Sequence, residues 1–332
     1  MPPVTLARNA MNCRFELVLH GGNPVSLRAA AEEALNEIER IENQLSVFRP
    51  GSEIARVNAF AAQEPVRVSP EVFALLDHAR QLSDETDGAF DITMAPLLRC
   101  WGLLGRSDGR MPSAHELAEA HRLCGMGLVT LNRDDFTVRF GREGVMLDLG
   151  AIGKGYAVEM AAEILRDAGV TSALIHGGTS TVYAIGTPPD SDAWKIAIDK
   201  PATAFPNPAV AEPTGAGVPK PPFVLVSLHD ESLSVSAVSG KGFTVHGRTL
   251  GHVIDPRTGE PTSRALLAAV VLPSGAETDA FSTALLVSGP DGLDAIATLR
   301  PEMRTLVLAE GENGALRIAG RRIEPSAPEI VG

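Results

Sequence analysis

Apolar and polar positions alternate with two different periods along this chain. Residues 13–20 alternate every second position, which predicts a strand, and the Gly-Gly-Asn-Pro run at 21–24 predicts a turn after it. From residue 26 the apolar positions recur every three or four residues, which predicts one face of a helix with Ser26 as its N-cap. The predicted face consists of Leu27, Ala31, Ala34, Ile38, Ile41 and Leu45.

Further helices are predicted from start and stop signals. Ser69 precedes a proline at the first helical position, and this helix is predicted to run to about Ser83. A capping box, Ser113–Glu116, predicts another helix that ends at Gly125. Strand-like runs occupy residues 172–176, 181–186, 194–199, 223–228, 232–236 and 266–272.

The order of these elements favours one fold class over another. Helices come first, followed by strands and helices that do not alternate as βαβ units, so we expect an α+β fold. Residues 200–222 are rich in Pro, Gly and Ala and show no periodicity, which predicts a surface insertion between two strands.

Composition narrows the class of protein. With 332 residues, 44% hydrophobic and 21% charged, the chain is typical of globular proteins. A net charge of −12 argues against a nucleic-acid partner, which selects for a basic surface. Three cysteines without paired spacing indicate neither a disulfide framework nor a zinc site. We find no membrane span and no signal-peptide pattern, so we expect a cytoplasmic location, or export if a leader has been removed.

The segment Asp148–Gly155 combines a carboxylate, a lysine and three glycines before an Ala-rich helix predicted to begin near Tyr156. Glycines permit close backbone approach, and a helix start offers N–H groups and a positive dipole end to an anion. The spacing matches neither a Walker A loop nor the G-x-G-x-x-G dinucleotide motif. A phosphate site and a turn without a ligand both remain open.

Three other clusters carry polar groups suited to chemistry. Asp279 and Thr283 are four apart and share a helix face, which suits Mg²⁺ but also suits an N-cap with a solvent-facing threonine. His252–Gly259 places a histidine before a tight turn, where it can act as a base or simply bond at a strand end. Thr86–Thr93 has two Asp and two Thr around a glycine and can equally be a hydrogen-bonded loop.

Together and in this order, the clusters resemble the ApbE family of FAD:protein FMN transferases. The resemblance covers roughly residues 11 to 300, and five ordered motifs are far more specific than any one of them. The motifs are Ser46–Glu53, Thr86–Thr93 followed by Pro96 and Trp101-Gly102, Asp148–Gly155, His252–Gly259, and Asp279-x-x-x-Thr283.

The resemblance implies a fold, a reaction and two ligands. The expected fold is a single α+β domain, ApbE-like and T-fold-related, over residues 11–310, with residues 200–222 inserted in it. The expected reaction uses FAD and Mg²⁺ to transfer FMN to a Thr or Ser of a target flavoprotein, with release of AMP. Two alternatives are a Mg²⁺-dependent FAD pyrophosphatase and a non-catalytic flavin-binding protein.

The resemblance also implies roles for individual residues. His252 is expected to assist removal of the acceptor's proton, and Asp255 is the second catalytic candidate. The expected metal ligands are the Ala151 carbonyl, Asp279 and Thr283. The residues expected to contact FAD are Met11, Phe48, Ala89, Phe90, Asp91, Asp148, Lys154 and Ile254.

Three departures from the family pattern involve four positions. Phe48 stands where tyrosine is frequent, which keeps the ring and loses the hydroxyl. His176 and Thr179 replace asparagines of the family's Asn-x-Gly-Gly-Asn strand. Ser282 stands where some members have Asp, and this change is expected to weaken one metal contact.

Overall fold

The computed structural model describes residues 2–104, 109–201, 222–238, 243–245, 248–311 and 315–324, so most of the predicted insertion lies outside the described residues. The helices are α1 Pro24–Leu45, α2 Glu53–Phe60, α3 Pro70–Glu85, α4 Ala95–Cys100, α5 Ala114–His121, α6 Gly153–Asp167, α7 Gly275–Ser288 and α8 Leu293–Ala297. The strands are β1 Val4–Ala10, β2 Cys13–Leu19, β3 Val66–Arg67, β4 Val129–Asn132, β5 Thr137–Phe140, β6 Ala173–Gly177, β7 Thr181–Ile185, β8 Trp194–Ile198, β9 Val224–Leu228, β10 Ser232–Ala237, β11 Phe243–Val245, β12 Arg248–Leu250, β13 Leu267–Leu272, β14 Arg304–Glu310 and β15 Leu316–Arg321.

One eight-stranded sheet organises the chain, in the order β1-β2-β6-β7-β10-β13-β14-β15. Every neighbouring pair in it is antiparallel. All six residues of β13 are buried, because both faces of the sheet are covered at this strand. Smaller sheets are formed by β3-β5-β4, by β8-β9 and by β11-β12. The fold is α+β, as the sequence predicts.

Helix α7 lies at the centre of the molecule. It packs on β10 and β13 and also against α6 and α3, and α6 in turn packs against α1. Twelve of its fourteen residues are buried, which is the pattern of a helix surrounded by protein rather than one lying on the surface. A polar residue on α7 is therefore either hydrogen-bonded inside the protein or directed into a cavity.

The predicted helices are present, with changes at their ends. All six residues of the predicted apolar face of α1 are buried, which confirms that face. The cap is Asn23 rather than Ser26: its Oδ1 accepts from the Val25 N–H at 2.8 Å, and Pro24 occupies the first helical position. The Ser69 cap of α3 and the capping box of α5 are confirmed, although α5 ends at His121, before Gly125.

Two corrections concern the order of the elements and the start of one helix. The chain opens with a β-hairpin, β1-β2, whose first strand the apolar pattern did not reveal, so helices do not come first. Helix α6 begins at Gly153 and not near Tyr156, which places Lys154 and Gly155 inside its first turn. In the described part of the chain, no helix combines the length and apolar character needed to cross a membrane.

Candidate functional site

A cavity of about 590 Å³ opens where α6, α7, β10 and three loops meet. It collects residues from four of the five motifs. The described residues that line it are Ala89, Phe90, Asp91, Met94, Leu98, Asp148, Gly150, Ala151, Lys154, Thr179, Ser180, Val235, Ser236, Ala237, His252, Val253, Ile254, Pro256, Asp279 and Thr283. Surface depressions elsewhere in the described part of the chain have similar volumes, 510 to 640 Å³, but they contain none of the predicted site residues.

The close crossing of α6 and α7 sets one wall of the cavity. A Cβ on Gly155 would lie 2.0 Å from the carbonyl oxygen of Gly275 and 2.7 Å from the Cβ of Asp279. A Cβ on Gly275 would likewise lie 2.4 Å from the carbonyl oxygen of Gly155. The third glycine of the Gly-rich segment therefore lets two helices touch, which corrects the expectation that it keeps the backbone open to a ligand.

Asp279 is buried at this crossing, with 3% of its surface exposed, and it still faces the cavity. Its Oδ2 accepts from the Gly155 N–H at 3.1 Å and lies 3.7 Å from the Lys154 ammonium. Its Oδ1 accepts from the Ser234 hydroxyl at 3.3 Å. The carboxylate thus occupies the N-terminal end of α6, where the helix dipole favours a negative charge. The Gly155 N–H, one of the helix-start groups predicted to bind an anion, therefore bonds to a side chain of the protein itself.

Lys154 extends from the first turn of α6 into the same space. Its ammonium donates to the Gly150 carbonyl at 3.1 Å, and its acidic neighbour within 4 Å is Asp279. Asp148 instead accepts from the Gly150 N–H at 2.7 Å, which closes a short turn. The acid and base of the Gly-rich segment therefore bond to opposite ends of the Gly150 backbone, and the ion-pair partner of Lys154 is Asp279.

Burial raises the pKa of the Asp148 carboxyl, while the Gly150 N–H bond and the Lys154 charge lower it by less. Burial also raises the pKa of Asp91, against the lowering effect of its bonds to the Thr93 hydroxyl and N–H, both at 2.6 Å. A backbone bond of 2.7 Å from the Asp148 N–H to the Ile92 carbonyl holds the two loops together. The lining therefore contains two carboxyl groups for which burial disfavours the charged form.

The loop before Asp91 is built around Thr86. The Thr86 hydroxyl donates to the Leu82 carbonyl at 2.7 Å and accepts from the Phe90 N–H at 3.2 Å, while Asp87 and Gly88 adopt left-handed backbone conformations. This arrangement ends α3 and directs Phe90 inward, with only 1% of its surface exposed. The motif is a hydrogen-bonded loop, and it also supplies part of the cavity wall.

The turn after His252 is fixed from several sides. The indole N–H of Trp101 donates to the Gly259 carbonyl at 2.7 Å, and the His121 ring lies 2.9 Å from the Pro256 carbonyl. Both carboxylate oxygens of Asp255 accept from Arg257, at 2.9 Å each. His252 and Ile254 line the cavity, whereas Asp255 is a buried ion-pair partner that does not.

Three predicted site residues, Met11, Phe48 and Asp255, are not among the described residues that line the cavity. Met11 lies in the turn of the β1-β2 hairpin with φ of 50°, and Phe48 is 56% exposed on the loop after α1. Of the departures from the family pattern, Thr179 lines the cavity and His176 is half-buried on β6. Burial lowers the pKa of His176. Ser282 is fully buried beneath the wall rather than facing the cavity.

Sequence reasoning missed the residues of β10 that reach the site. Ser234 bonds to Asp279, and the Ser236 hydroxyl lies 2.9 Å from that of Ser282 and 3.4 Å from that of Thr283. The alternation of serine at 232, 234 and 236 was a visible signal, because one face of the predicted strand carries hydroxyls instead of apolar groups.

The oxygen atoms in the cavity wall indicate which kind of cation the cavity can bind. Asp279 and Thr283 line the cavity together with Ala151, so carboxylate, hydroxyl and backbone carbonyl oxygens are all within its wall. These are hard ligands of the kind that Mg²⁺ and Ca²⁺ take. In the described ranges, no three His, Cys, Asp or Glu side chains gather as a metal site. The residues fit a hard cation that is completed by water and ligand oxygens, and they do not fit zinc.

Comparison with known proteins gives a consistent result. A sequence model described as "ApbE family" matches residues 11–307. The chain is 28% identical to a Haemophilus influenzae protein named FAD:protein FMN transferase, over 80% of this chain and 75% of that protein. The crystal structure of an ApbE protein from Thermotoga maritima superposes with a TM-score of 0.79 at 27% identity and covers 95% of this chain and 96% of its own. The crystal structure of the apo flavinyl transferase ApbE of Pseudomonas stutzeri superposes with a TM-score of 0.77 at 27% identity and covers 96% of this chain and 95% of its own.

Proposed function

Because this chain belongs to the ApbE family, we propose that it is an FAD:protein FMN transferase that uses Mg²⁺ and attaches FMN to a Thr or Ser hydroxyl of a target flavoprotein, releasing AMP. One observation carries the proposal beyond family membership. Residues of motifs far apart in the chain converge on a single cavity, with Lys154, Asp279 and Thr283 on one side and His252 within the same lining. Phosphoryl transfer needs this combination of charge neutralisation and a positioned base.

The electrostatics of the cavity support a role for a cation. Among the described residues, three carboxyl groups line it, those of Asp91, Asp148 and Asp279, and one lysine. FAD adds a pyrophosphate, whose negative charge meets a lysine that already stands beside Asp279. Ala151, Asp279 and Thr283 are the residues that would hold Mg²⁺. The ion would supply neutralisation of charge on phosphate oxygens.

The reaction that we propose conserves atoms and charge. The acceptor hydroxyl oxygen forms a bond to the phosphorus of the FMN half, the bond from that phosphorus to the bridging oxygen breaks, and AMP leaves with the bonding electrons. His252 takes the hydroxyl proton, because an alcohol is a weak nucleophile until a base removes it. Lys154, which stands beside Asp279, offers a positive charge to the phosphates of FAD.

The remaining lining residues bind the flavin in this proposal. Ala89, Phe90 and Ile254 provide apolar wall, and Asp91 and Asp148 provide hydrogen-bond acceptors, or donors when protonated. Met11 and Phe48 lie outside the described lining, and we assign them to the outer edge of the flavin site. Asp255 we assign to holding the turn that carries His252, since its carboxylate is already bonded to Arg257.

The test is transfer to a defined acceptor. The purified chain is incubated with FAD, Mg²⁺ and a candidate flavoprotein, and the acceptor is analysed by intact mass. We expect a mass increase equal to FMN less one water, together with stoichiometric AMP. The matched control is the same acceptor with its target Thr replaced by Val, which keeps the shape and removes the hydroxyl.

Two other outcomes identify the alternatives. Free FMN and AMP in the absence of an acceptor, with an unmodified acceptor when it is present, indicate a pyrophosphatase in which water replaces the hydroxyl. FAD that stays bound and intact in Mg²⁺ with every acceptor indicates a flavin-binding protein. Either result contradicts the transferase proposal.

A further inference from the structure

Strand β10 carries three serines on one face, at positions 232, 234 and 236. Ser232 and Ser234 have no exposed surface, and Ser236 is partly buried. A buried hydroxyl costs free energy unless it is hydrogen-bonded, and an aliphatic residue would fill the same space without that cost. The hydrogen-bond partners of these hydroxyls therefore indicate the role of this face of the strand.

Their partners differ along the strand. Ser232 donates to the Val182 carbonyl of the neighbouring strand at 3.0 Å, a contact that concerns only the sheet. Ser234 bonds to the carboxylate of Asp279 at 3.3 Å. Ser236 lies 2.9 Å from the hydroxyl of Ser282 and 3.4 Å from that of Thr283, both on α7. Two of the three serines thus connect β10 to the side chains that we assign to the cation.

Ser282 connects the members of this hydroxyl cluster, which we define as Ser234, Ser236, Ser282 and Thr283. Its hydroxyl is fully buried and lies 3.3 Å from that of Ser234 and 3.0 Å from the Asp279 carbonyl oxygen. The Thr283 hydroxyl also reaches this carbonyl, at 3.2 Å. Three of these four hydroxyls therefore bond to Asp279, and the fourth, that of Ser236, lies within bonding distance of the hydroxyls of Ser282 and Thr283.

The hydrogens in the cluster have a consistent direction. The Ser234 hydroxyl donates to Asp279 Oδ1 at 3.3 Å, with the Ser180 carbonyl at 3.4 Å as its second acceptor. The Ser282 hydroxyl donates to the Asp279 carbonyl at 3.0 Å or to Ser234 at 3.3 Å. The Thr283 hydroxyl donates to the same carbonyl, whose oxygen has two lone pairs. With its hydrogen turned to that carbonyl, the Thr283 oxygen presents a lone pair to the cavity, as a cation ligand must.

We propose that Ser234 and Ser282 are positioning residues for the cation site: they hold Asp279 and the hydroxyl hydrogens so that Asp279 and Thr283 present lone pairs to a divalent cation. The inference rests on the proposed function, because that is where these two side chains are assigned to a metal. Neither serine lines the cavity, so both act through the residues that do. Ser282, a departure from the family pattern, is on this basis a support beneath the site and not a ligand.

The first test measures cation binding without any reaction. Mn²⁺ alone is titrated into the parent chain and into Ser234→Ala, Ser282→Ala and Ser232→Ala, with free Mn²⁺ followed by electron paramagnetic resonance. Loss of a residue that orients a metal ligand typically weakens metal binding about 10- to 100-fold, which we expect for Ser234→Ala and Ser282→Ala. Ser232→Ala is the matched control, since it removes the same buried group from the same face of the same strand. We expect its Mn²⁺ affinity to equal that of the parent.

A second measurement separates positioning from general loosening of the fold. FMN transfer is measured against Mg²⁺ concentration, and we expect Ser234→Ala to need more Mg²⁺ and to approach the parent's rate when Mg²⁺ is saturating. A variant damaged only in its packing would be slower at every Mg²⁺ concentration. Unfolding in urea with EDTA checks that Ser234→Ala and Ser232→Ala lose similar stability. If Ser234→Ala does not fold, Ser282→Ala carries both measurements.

The outcomes distinguish this inference from the proposed function. A parent that binds Mn²⁺ and a Ser234→Ala variant that binds it equally well overturn the positioning role alone. Equal weakening by Ser232→Ala also overturns it, because the effect would then belong to the strand. A parent that binds no Mn²⁺ overturns the metal assignment, and this inference with it.

Discussion

Replacing Gly155 by alanine tests whether the helix crossing forms the site. The added Cβ would lie 2.0 Å from the Gly275 carbonyl oxygen, about 1.4 Å inside ordinary van der Waals contact. The nearest obstacles are the backbone of α7 and the Cβ of Asp279, which have no alternative rotamer to adopt. The two helices must separate, or α6 must shift along its axis.

Two opposing effects determine the change in the free energy of unfolding. Alanine is favoured over glycine inside a helix by about 1 kcal/mol. Overpacking a filled interior costs about 1–3 kcal/mol, and a clash with backbone belongs at the upper end of that range. We therefore expect Gly155→Ala to be destabilised by about 2 kcal/mol. The bond from Gly155 N–H to Asp279 Oδ2 would also lengthen, and a displacement of about 1 Å at a reacting group can cost about 10²-fold in rate.

The same helix provides the control. A Cβ on Gly153 would meet only the Leu45 side chain, at 3.9 Å, so Gly153→Ala should be neutral or stabilised by up to about 1 kcal/mol. Urea unfolding measures the stability of both variants. Calorimetric titration with Mg²⁺ measures cation binding, and the FMN transfer assay measures the rate of the reaction. If Gly155→Ala matches Gly153→Ala in all three measurements, the close crossing does not shape the site and this reasoning is wrong.

Three further predictions concern single side chains. His252→Asn should keep FAD and Mg²⁺ binding but transfer FMN about 10²–10⁴-fold more slowly, and equal rates under single-turnover conditions would remove His252 from proton transfer. Asp279→Asn, which keeps the size and the acceptor for Ser234, should lose Mg²⁺ binding by calorimetry while the far-UV circular dichroism stays unchanged; retained Mg²⁺ affinity would contradict the ligand assignment. Burial raises the pKa of Asp91 above the value of 3.8 that it has in the unfolded chain. Its ionisation therefore lowers the stability of the folded protein as pH rises from 3.8 through the pKa of the folded state. Asp91→Asn should increase the free energy of unfolding at pH 7 and leave it nearly unchanged at pH 3. Urea unfolding at the two pH values checks the sign, and a loss of stability at pH 7 would show that the hydrogen bonds of Asp91 outweigh its burial.

Local features of the chain could be predicted from the sequence because they depend on residues within a few positions of one another. The apolar face of α1 and the caps at Ser69 and Ser113 follow from a helix period and from side chains that bond N–H groups two or three residues ahead. The error at Ser26 was local too, since Asn23 followed by proline is an equally good start. The family resemblance extended this reading to most of the cavity lining, because motifs record positions that must meet around a ligand.

The tertiary structure alone decided which neighbours these local pieces acquire. Nothing near Gly155 in the chain indicates that Gly275 will press against it, or that its N–H will bond to Asp279 instead of a ligand. The serines of β10 could be predicted to lie on a strand, but only the packing of α7 on β10 shows that Ser234 bonds to Asp279 and that Ser236 lies beside Thr283. Periodicity and capping are set by contacts within one or two turns of chain, whereas close approach of two backbones and the partners of a buried hydroxyl are set by residues that the sheet order and helix crossings bring together from far along the sequence.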